Sequence, residues 1–173
     1  MTNTILVTYA SRTGSTAEVA EAIGRTLAEG GLQVDVRPMT EVTDLAPYRA
    51  VVAGSAVRGQ RWLPEALEFI QVYREQLSRR PFAAFMVCIT LAMRNSDRYR
   101  AGLAAWLQPV RDLVRPASEG LFAGRLDFDR LPANRERRGL RLAVRLGIFP
   151  RGDHRDWNAV RSWAESLRPL LAS

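Results

Sequence analysis

Apolar residues along the chain change their spacing several times, and each change marks an element. Residues 4–10 (TILVTYA) form a short, β-branched apolar run, the pattern of a buried strand. Turn chemistry at 11–14 ends it. From Ser15 the pattern shifts to steps of three and four through Thr16, Ala20, Ile23 and Leu27, which predicts a helix stopped by Gly30 and Gly31. Residues 32–39 alternate, with Leu32, Val34 and Val36 set against Gln33, Asp35 and Arg37, as in a second strand. Residues 50–56 and 82–91 are apolar on both faces and predict a third and a fourth strand. Pro64 suits the first position of a helix running to Ser78. Beyond these, the pattern predicts a helix over 97–114, a fifth strand over 121–128, and helices over 134–149 and 156–171.

Strands one, three and four have no polar face, so helices must cover both sides of the sheet that contains them. With right-handed crossovers this leaves a doubly wound parallel α/β sheet with helices on both faces. A chain of 173 residues without repeats, low-complexity tracts or linkers is expected to be a single domain over 1–173. Burial of roughly 70% of its unfolded surface would give it a full core without staples. A hydrophobic share of 47% and a charged share of 25% exclude disorder. The longest uncharged apolar run, 82–89, falls far short of the ~18 residues of a membrane span. Residues 1–8 carry neither a basic region nor a small-residue cleavage site, so no signal peptide is expected. Cys88 is the single cysteine, which rules out an internal disulfide and a cysteine-based metal cluster. The expected compartment is the reducing cytoplasm.

Charge adds one feature. All 25 basic residues are arginine, and the net charge is +7. Residues 130–155 hold eight arginines against Glu136 and Asp153, so nearly the whole excess sits in one stretch.

In an open parallel sheet a ligand binds beyond the carboxyl ends of the strands, where the strand order reverses. Three loops leave carboxyl ends here, at 11–16, 55–62 and 90–96. The first, Ser11-Arg12-Thr13-Gly14-Ser15-Thr16, joins a buried strand directly to a helix. It offers hydroxyls, a glycine for close backbone approach, and the outward N–H groups of a helix start. A phosphate dianion fits such a cup. The loop lacks GxxxxGK[ST] and GxGxxG, so a single terminal phosphate suits it better than a nucleoside triphosphate or a dinucleotide. The plainer alternative is that Ser15 or Thr16 merely caps the helix.

The run from Val7 to Ile23 (VTYASRTGSTAEVAEAI) resembles the flavodoxin signature: an aromatic at Tyr9, hydroxyls at Ser11 and Thr16, a small residue at Gly14, alanine at Ala20 and an aliphatic at Ile23. It departs at Thr8, where an apolar residue is usual. The resemblance implies a flavodoxin-like five-stranded sheet of order 2-1-3-4-5, with FMN in the crevice between the first and third strands. Gly54-Ser55-Ala56-Val57-Arg58-Gly59-Gln60-Arg61-Trp62, Phe69-Ile70, Thr90-Leu91-Ala92, Ala123-Gly124-Arg125-Leu126, the basic stretch after it and Asp156-Trp157 resemble more narrowly the menaquinone-dependent protoporphyrinogen IX dehydrogenase branch of the flavodoxin-like proteins. That branch implies a flavoenzyme passing electrons from a reduced substrate to a quinone. A soluble electron-transfer flavodoxin and a flavin-free binding module are the alternatives. The basic charge argues against the carrier, since such carriers are usually acidic.

By this resemblance the cofactor-binding residues are Ser11, Arg12, Thr13, Gly14, Ser15 and Thr16 for the phosphate. Ser55, Ala56, Val57, Arg58, Gly59, Trp62, Thr90, Leu91 and Ala92 would serve the flavin ring. Electron carriers usually sandwich the ring between aromatics, but the third loop has none before Tyr99, which would leave one face open to a substrate. Trp62 reads equally as a wall for the ring and as a core residue. Arg58 is the cation best placed to tune a flavin; a surface pair with Glu65 is the other reading. Arg12 either adds charge to the cup or points at solvent. Cys88 is expected to be buried and inert, and His154, the single histidine, to be a surface residue. No catalytic side chain and no metal ligand is assigned.

Drawn as a helix, residues 134–149 place Arg137, Arg138, Arg141 and Arg145 on one arc, with Leu142, Val144, Leu146, Ile148 and Phe149 filling most of the remainder. Such a basic amphipathic helix suits peripheral contact with an anionic membrane, here the inner face. The bland alternative is a helix packed on the sheet with a solvated arginine face. A membrane quinone or a tetrapyrrole carrying propionates would each favour a positive site. No aromatic-interleaved stripe points to nucleic acid.

Overall fold

The computed structural model describes residues 3–93 and 96–172. Met1 and Thr2 of the chain start, Arg94 and Asn95 of the third loop, the side chains of Asp97 and Tyr99, and Ser173 lie outside the described residues. Five parallel strands form the sheet: β1 (Thr4–Ala10), β2 (Gln33–Pro38), β3 (Tyr48–Arg58), β4 (Phe82–Cys88) and β5 (Ser118–Ala123). Their spatial order is β2-β1-β3-β4-β5. From β1 the chain steps outward to β2 and then returns to β3 on the other side of β1, so the order reverses between β1 and β3.

Alternation along the central strands sends side chains into two separate cores. Ile5 and Val7 of β1, Val52 of β3 and Phe85 of β4 pack on one face against α1 (Ser15–Glu29) and α7 (Trp157–Ala172). Leu6, Val51, Ala53 and Met86 face the other way, towards α2 (Pro64–Val72), α3 (Arg74–Ser78), α4 (Ser96–Ala104) and α5 (Gln108–Leu113). Thr8, at the position where the signature is usually apolar, is fully buried and its hydroxyl has no partner. The remaining helix, α6 (Arg135–Arg145), belongs to neither layer.

Several expected boundaries shift for physical reasons. The helix expected over 97–114 is two helices joined by a 3₁₀ turn at Ala105–Leu107. Pro109 lies in the first turn of the second, where its missing N–H costs nothing, whereas inside one continuous helix it would break the ladder. The helix from Pro64 breaks at Tyr73, whose ring packs on Phe69 at 4.8 Å. The fourth strand stops at Cys88, and Ile89–Ala92 form a 3₁₀ turn. The fifth strand starts three residues early, at Ser118, and ends at Ala123 instead of running to 128. As an edge strand it tolerates the polar Ser118 and Glu119, which pair with Trp163 and Arg111. Helix α6 ends at Arg145, short of the expected 149.

Gly54 sits beside Phe85 across the β3–β4 ladder. A Cβ there would come within 2.0 Å of the Phe85 ring, which itself lies against Phe122 and Trp163. Gly54→Ala is therefore expected to cost about 1–3 kcal/mol through overpacking. In thermal unfolding the melting point should fall by several degrees, and adding Phe85→Leu should restore part of the loss; a G54A protein as stable as the parent would contradict this packing.

Candidate functional site

The chain passes from β1 into α1 within four residues, and Gly14 makes this possible. It stands at the N-cap in the left-handed conformation, φ 86°, which an L side chain rarely adopts. Its N–H donates to the Ser11 hydroxyl at 3.1 Å, which curls the loop. No side chain caps α1, so its first N–H groups and the positive end of its dipole face outward uncommitted. The alternative of Ser15 or Thr16 as a simple cap is thus not what the structure shows. Ser15 and Thr16 are both buried in the first turn, and the Ser15 hydroxyl has no partner.

This loop forms one wall of a cavity of about 280 Å³. Ser11, Arg12, Thr13, Ser15 and Thr16 line it, with Ala56, Val57, Arg58 and Gly59 opposite. The second loop is a tight hairpin in which Val57 and Arg58 pair with Trp62 and Arg61. Its two turn residues, Gly59 and Gln60, both have positive φ, as a two-residue hairpin that follows the strand twist requires. The hydroxyl of Ser55 works beneath the hairpin, accepting from the Leu63 N–H at 3.0 Å and donating to the Ala56 carbonyl at 2.7 Å. Ser55 therefore fixes the loop from inside and does not reach the cavity.

Trp62 takes the core alternative. Only 1% exposed, it belongs to the cluster that includes Leu63, Leu103 and Leu107, and the cavity lining does not include it. Thr90, Leu91 and Ala92 do not line this cavity either. Leu91 is buried, and with Ala92 it borders a separate hollow of about 360 Å³ that also touches His154 and Arg100. The third loop's contribution to the site is its first residue, Ile89, which follows Val87 and Cys88. Cys88 is buried, and burial pushes its thiol pKa up, as an inert side chain requires. His154 is exposed, its Nε2 2.9 Å from the Arg151 carbonyl oxygen. Among the described residues no group of His, Cys, Asp and Glu side chains has metal-holding geometry.

The two loop arginines have partners other than those expected. Arg12 pairs with Glu65 at 2.7 Å, so Glu65 is not available to Arg58. Arg58 instead reaches Glu136 of α6 at 3.1 Å. That contact brings the basic stretch over the site. Leu131, Glu136, Leu140 and Phe149 line the cavity, as do Gly124, Arg125 and Leu126. The sequence reading missed all of these. A fourth loop leaves the carboxyl end of β5 at Gly124, and extending the fifth strand to 128 hid it. The available signal was the concentration of arginine immediately downstream.

Arg125, Arg130 and Arg155 converge on Glu18, one turn into α1. Arg155 is the closest at 2.5 Å, and it also holds Asp153 through two nitrogens. These contacts draw the Glu18 pKa down and that of Asp153 to about 2. The basic segment is thereby fastened to the helix that carries the cup.

The donor set fits FMN. Uncommitted N–H groups, the unpartnered Ser15 hydroxyl and nearby arginines suit a phosphate. The apolar side chains of Ala56, Val57, Ile89, Leu126, Leu140 and Phe149 suit a flat ring. A larger hollow of about 550 Å³ lies at the amino end of β5, but there Arg111 and Glu119 satisfy each other at 2.6 Å.

Structural comparison agrees with the topology. A flavodoxin from Streptococcus pneumoniae TIGR4 superposes with a TM-score of 0.60 at 17% identity, over 96% of this chain and 98% of that one. A short-chain flavodoxin associated with a non-canonical PDU bacterial microcompartment gives 0.61 at 16% identity over 100% of both chains. Flavodoxin 2 from Bacillus cereus gives 0.51 at 19% identity, over 84% and 97%. No curated protein matches the sequence. The family model described as the flavodoxin domain matches residues 6–138, most of the chain and all of the loop at 11–16. The chain belongs to the flavodoxin-domain family, and its cofactor is FMN.

Proposed function

We propose that this protein is an FMN-dependent oxidoreductase, similar to protoporphyrinogen IX dehydrogenase, that passes electrons from a reduced substrate to a quinone at the inner face of the membrane. One observation carries the proposal: the arginine-rich helix α6 roofs the same cavity that holds the phosphate cup. FMN, when bound, supplies the electron-accepting and electron-donating chemistry. The chain's residues bind and orient it. The hydroxyls of Ser11, Thr13, Ser15 and Thr16 and the first N–H groups of α1 hold the phosphate. Ala56, Val57, Leu140 and Phe149 exclude water from the ring. Arg58 sets positive charge at the mouth, where an anionic substrate would arrive.

Helix α6 suits contact with a lipid surface. None of its residues is buried. Leu142 and Leu146 are 58% and 66% exposed, and Ile148 just beyond is 48% exposed. At 100° per residue, Arg135 falls between these leucines, and Arg138 and Arg145 lie beside Leu142 on the same arc. The arc expected from sequence divides here. Arg137 turns inward, with its Nε buried, and Arg141 lies over the Phe128 ring at 5.6 Å. Among the described residues no helix is long and apolar enough to cross a membrane, so the contact proposed is peripheral.

Thr13→Val with Thr16→Val should leave the fold intact and weaken FMN binding at least tenfold per hydroxyl, since a hydrogen bond to a charged group is worth about 1.5–3 kcal/mol. Flavin fluorescence titration measures this, and an unchanged affinity would contradict the cup. FMN-loaded protein should oxidise protoporphyrinogen with a quinone as acceptor and should not accept electrons from a ferredoxin-type reductase; the opposite pattern identifies an electron carrier. Replacing Arg135, Arg138 and Arg145 with Gln should remove about 3 kcal/mol of attraction to anionic vesicles. Co-sedimentation should fall accordingly and fade with salt in the parent. A parent that never sediments with anionic vesicles refutes the membrane contact.

A further inference from the structure

Two arginines, Arg125 and Arg130, stand beside the hydroxyls and amides of the cup. Arg125 lies two residues beyond β5, lines the cavity with Ser11–Thr16 and is 17% exposed. Its contact to Glu18 Oε1 is long, 3.4 Å. Arg130 reaches over the loop itself. Its Nη1 is 3.3 Å from the Thr13 carbonyl oxygen and 3.4 Å from where a Cβ on Gly14 would stand. Its acidic contacts are also long: 3.4 Å to Glu18 and 3.5 Å to Asp127.

These distances differ from the rest of the neighbourhood. A charge-assisted N–H···O bond spans about 2.7–2.9 Å. Arg12 on Glu65 and Arg155 on Glu18 and Asp153 are at or below that length. Glu18 therefore faces three guanidinium groups and closely satisfies one. Arg125 and Arg130 are held beside the cup with their bonding capacity largely unspent. A guanidinium presents a planar fork of donors that matches phosphate oxygens. The Ser15 hydroxyl, buried and unpartnered in the same cup, marks where those oxygens would lie.

We infer that Arg125 and Arg130 are ligands of the FMN phosphate, adding charge to the hydroxyls and amides of the cup, with Glu18 and Arg155 as positioning residues. The inference rests on FMN binding at this loop and specifies how the dianion is neutralised there. Both arginines come from the segment between β5 and α7, so phosphate binding and the seating of the basic roof are one event. Charge recognition of this kind predicts a strong preference for FMN over riboflavin, which has the same ring and no phosphate, and a marked salt dependence of FMN binding.

The test is titration of FMN and riboflavin into the apoprotein of the parent, Arg125→Gln, Arg130→Gln and Arg130→Lys. Each Gln variant should bind FMN about tenfold or more weakly, with a shallower salt dependence and unchanged riboflavin affinity. Arg130→Lys should recover part of the loss. Arg130 is half exposed, so its variants keep the fold and the test stands even if Arg125→Gln does not fold. Variants that retain the parent's full preference for FMN overturn the arginine assignment while leaving the cup intact. Equal weakening of FMN and riboflavin also overturns it, because the arginines would then be structural. A parent that binds riboflavin as tightly as FMN overturns the cup itself.

Discussion

A helix whose first turn has no side-chain cap, set at the carboxyl end of a fully buried strand, is the constraint around which this protein is arranged. The N–H groups of that turn cannot be satisfied from within the helix, and the dipole concentrates positive potential where they point. In most helices Ser, Thr, Asn or Asp resolves this locally. Here Gly14 occupies the cap position, Ser11 accepts from the Gly14 N–H, and Ser15 keeps its hydroxyl free. The local sequence thus withholds the ordinary solution and leaves the turn suited to an anion. The reversal of strand order between β1 and β3 opens the crevice in front of that turn, so topology and electrostatics select the same place.

Around this centre the chain adds positive charge from a distant segment. Glu18 is the anchor. As an acid in the first turn of α1 it is favoured by the dipole, and it draws in three arginines from beyond β5. Arg155 is nearly buried, and its two carboxylate partners make that tolerable, since an isolated charge there would carry a large desolvation cost. The result is a roof assembled from one end of the sequence over a cup assembled from the other.

Much of the fold was legible because parallel sheets impose strong patterns. Strands buried on both faces read as unbroken apolar runs, as 50–56 and 82–88 do, and their order with intervening helices constrains the topology. The turn at 11–14 into α1 was equally legible, because it occupies one short segment with distinctive residue types, and the structure sets it at a cavity. The roof was not. Leu131, Leu140 and Phe149 reach the cavity through tertiary placement, and nothing local separates Leu140, which faces inward, from Leu142, which faces solvent. Trp62 illustrates the converse: a large aromatic in a ligand-proximal loop looks like a stacking residue, yet a hairpin with a two-residue turn carried it into the core. Residues 118–123 were misread because an edge strand can be polar where a central one cannot, so the strongest apolar pattern nearby, 121–128, drew the boundary away from the ladder.

The bridge between Arg58 and Glu136 has a consequence for how the basic segment is held. Both side chains are more than two-fifths exposed, and ion pairs of that kind contribute at most about 1 kcal/mol. Such a latch biases a closed position only about fivefold over an open one at ambient temperature. The pair therefore adds little to the seating of α6, and the contacts of Arg125, Arg130 and Arg155 with Glu18 carry the fastening of the basic segment. What the pair does change is sign: Glu136 offsets the Arg58 charge, so the positive field beside the cavity falls to the arginines around Glu18.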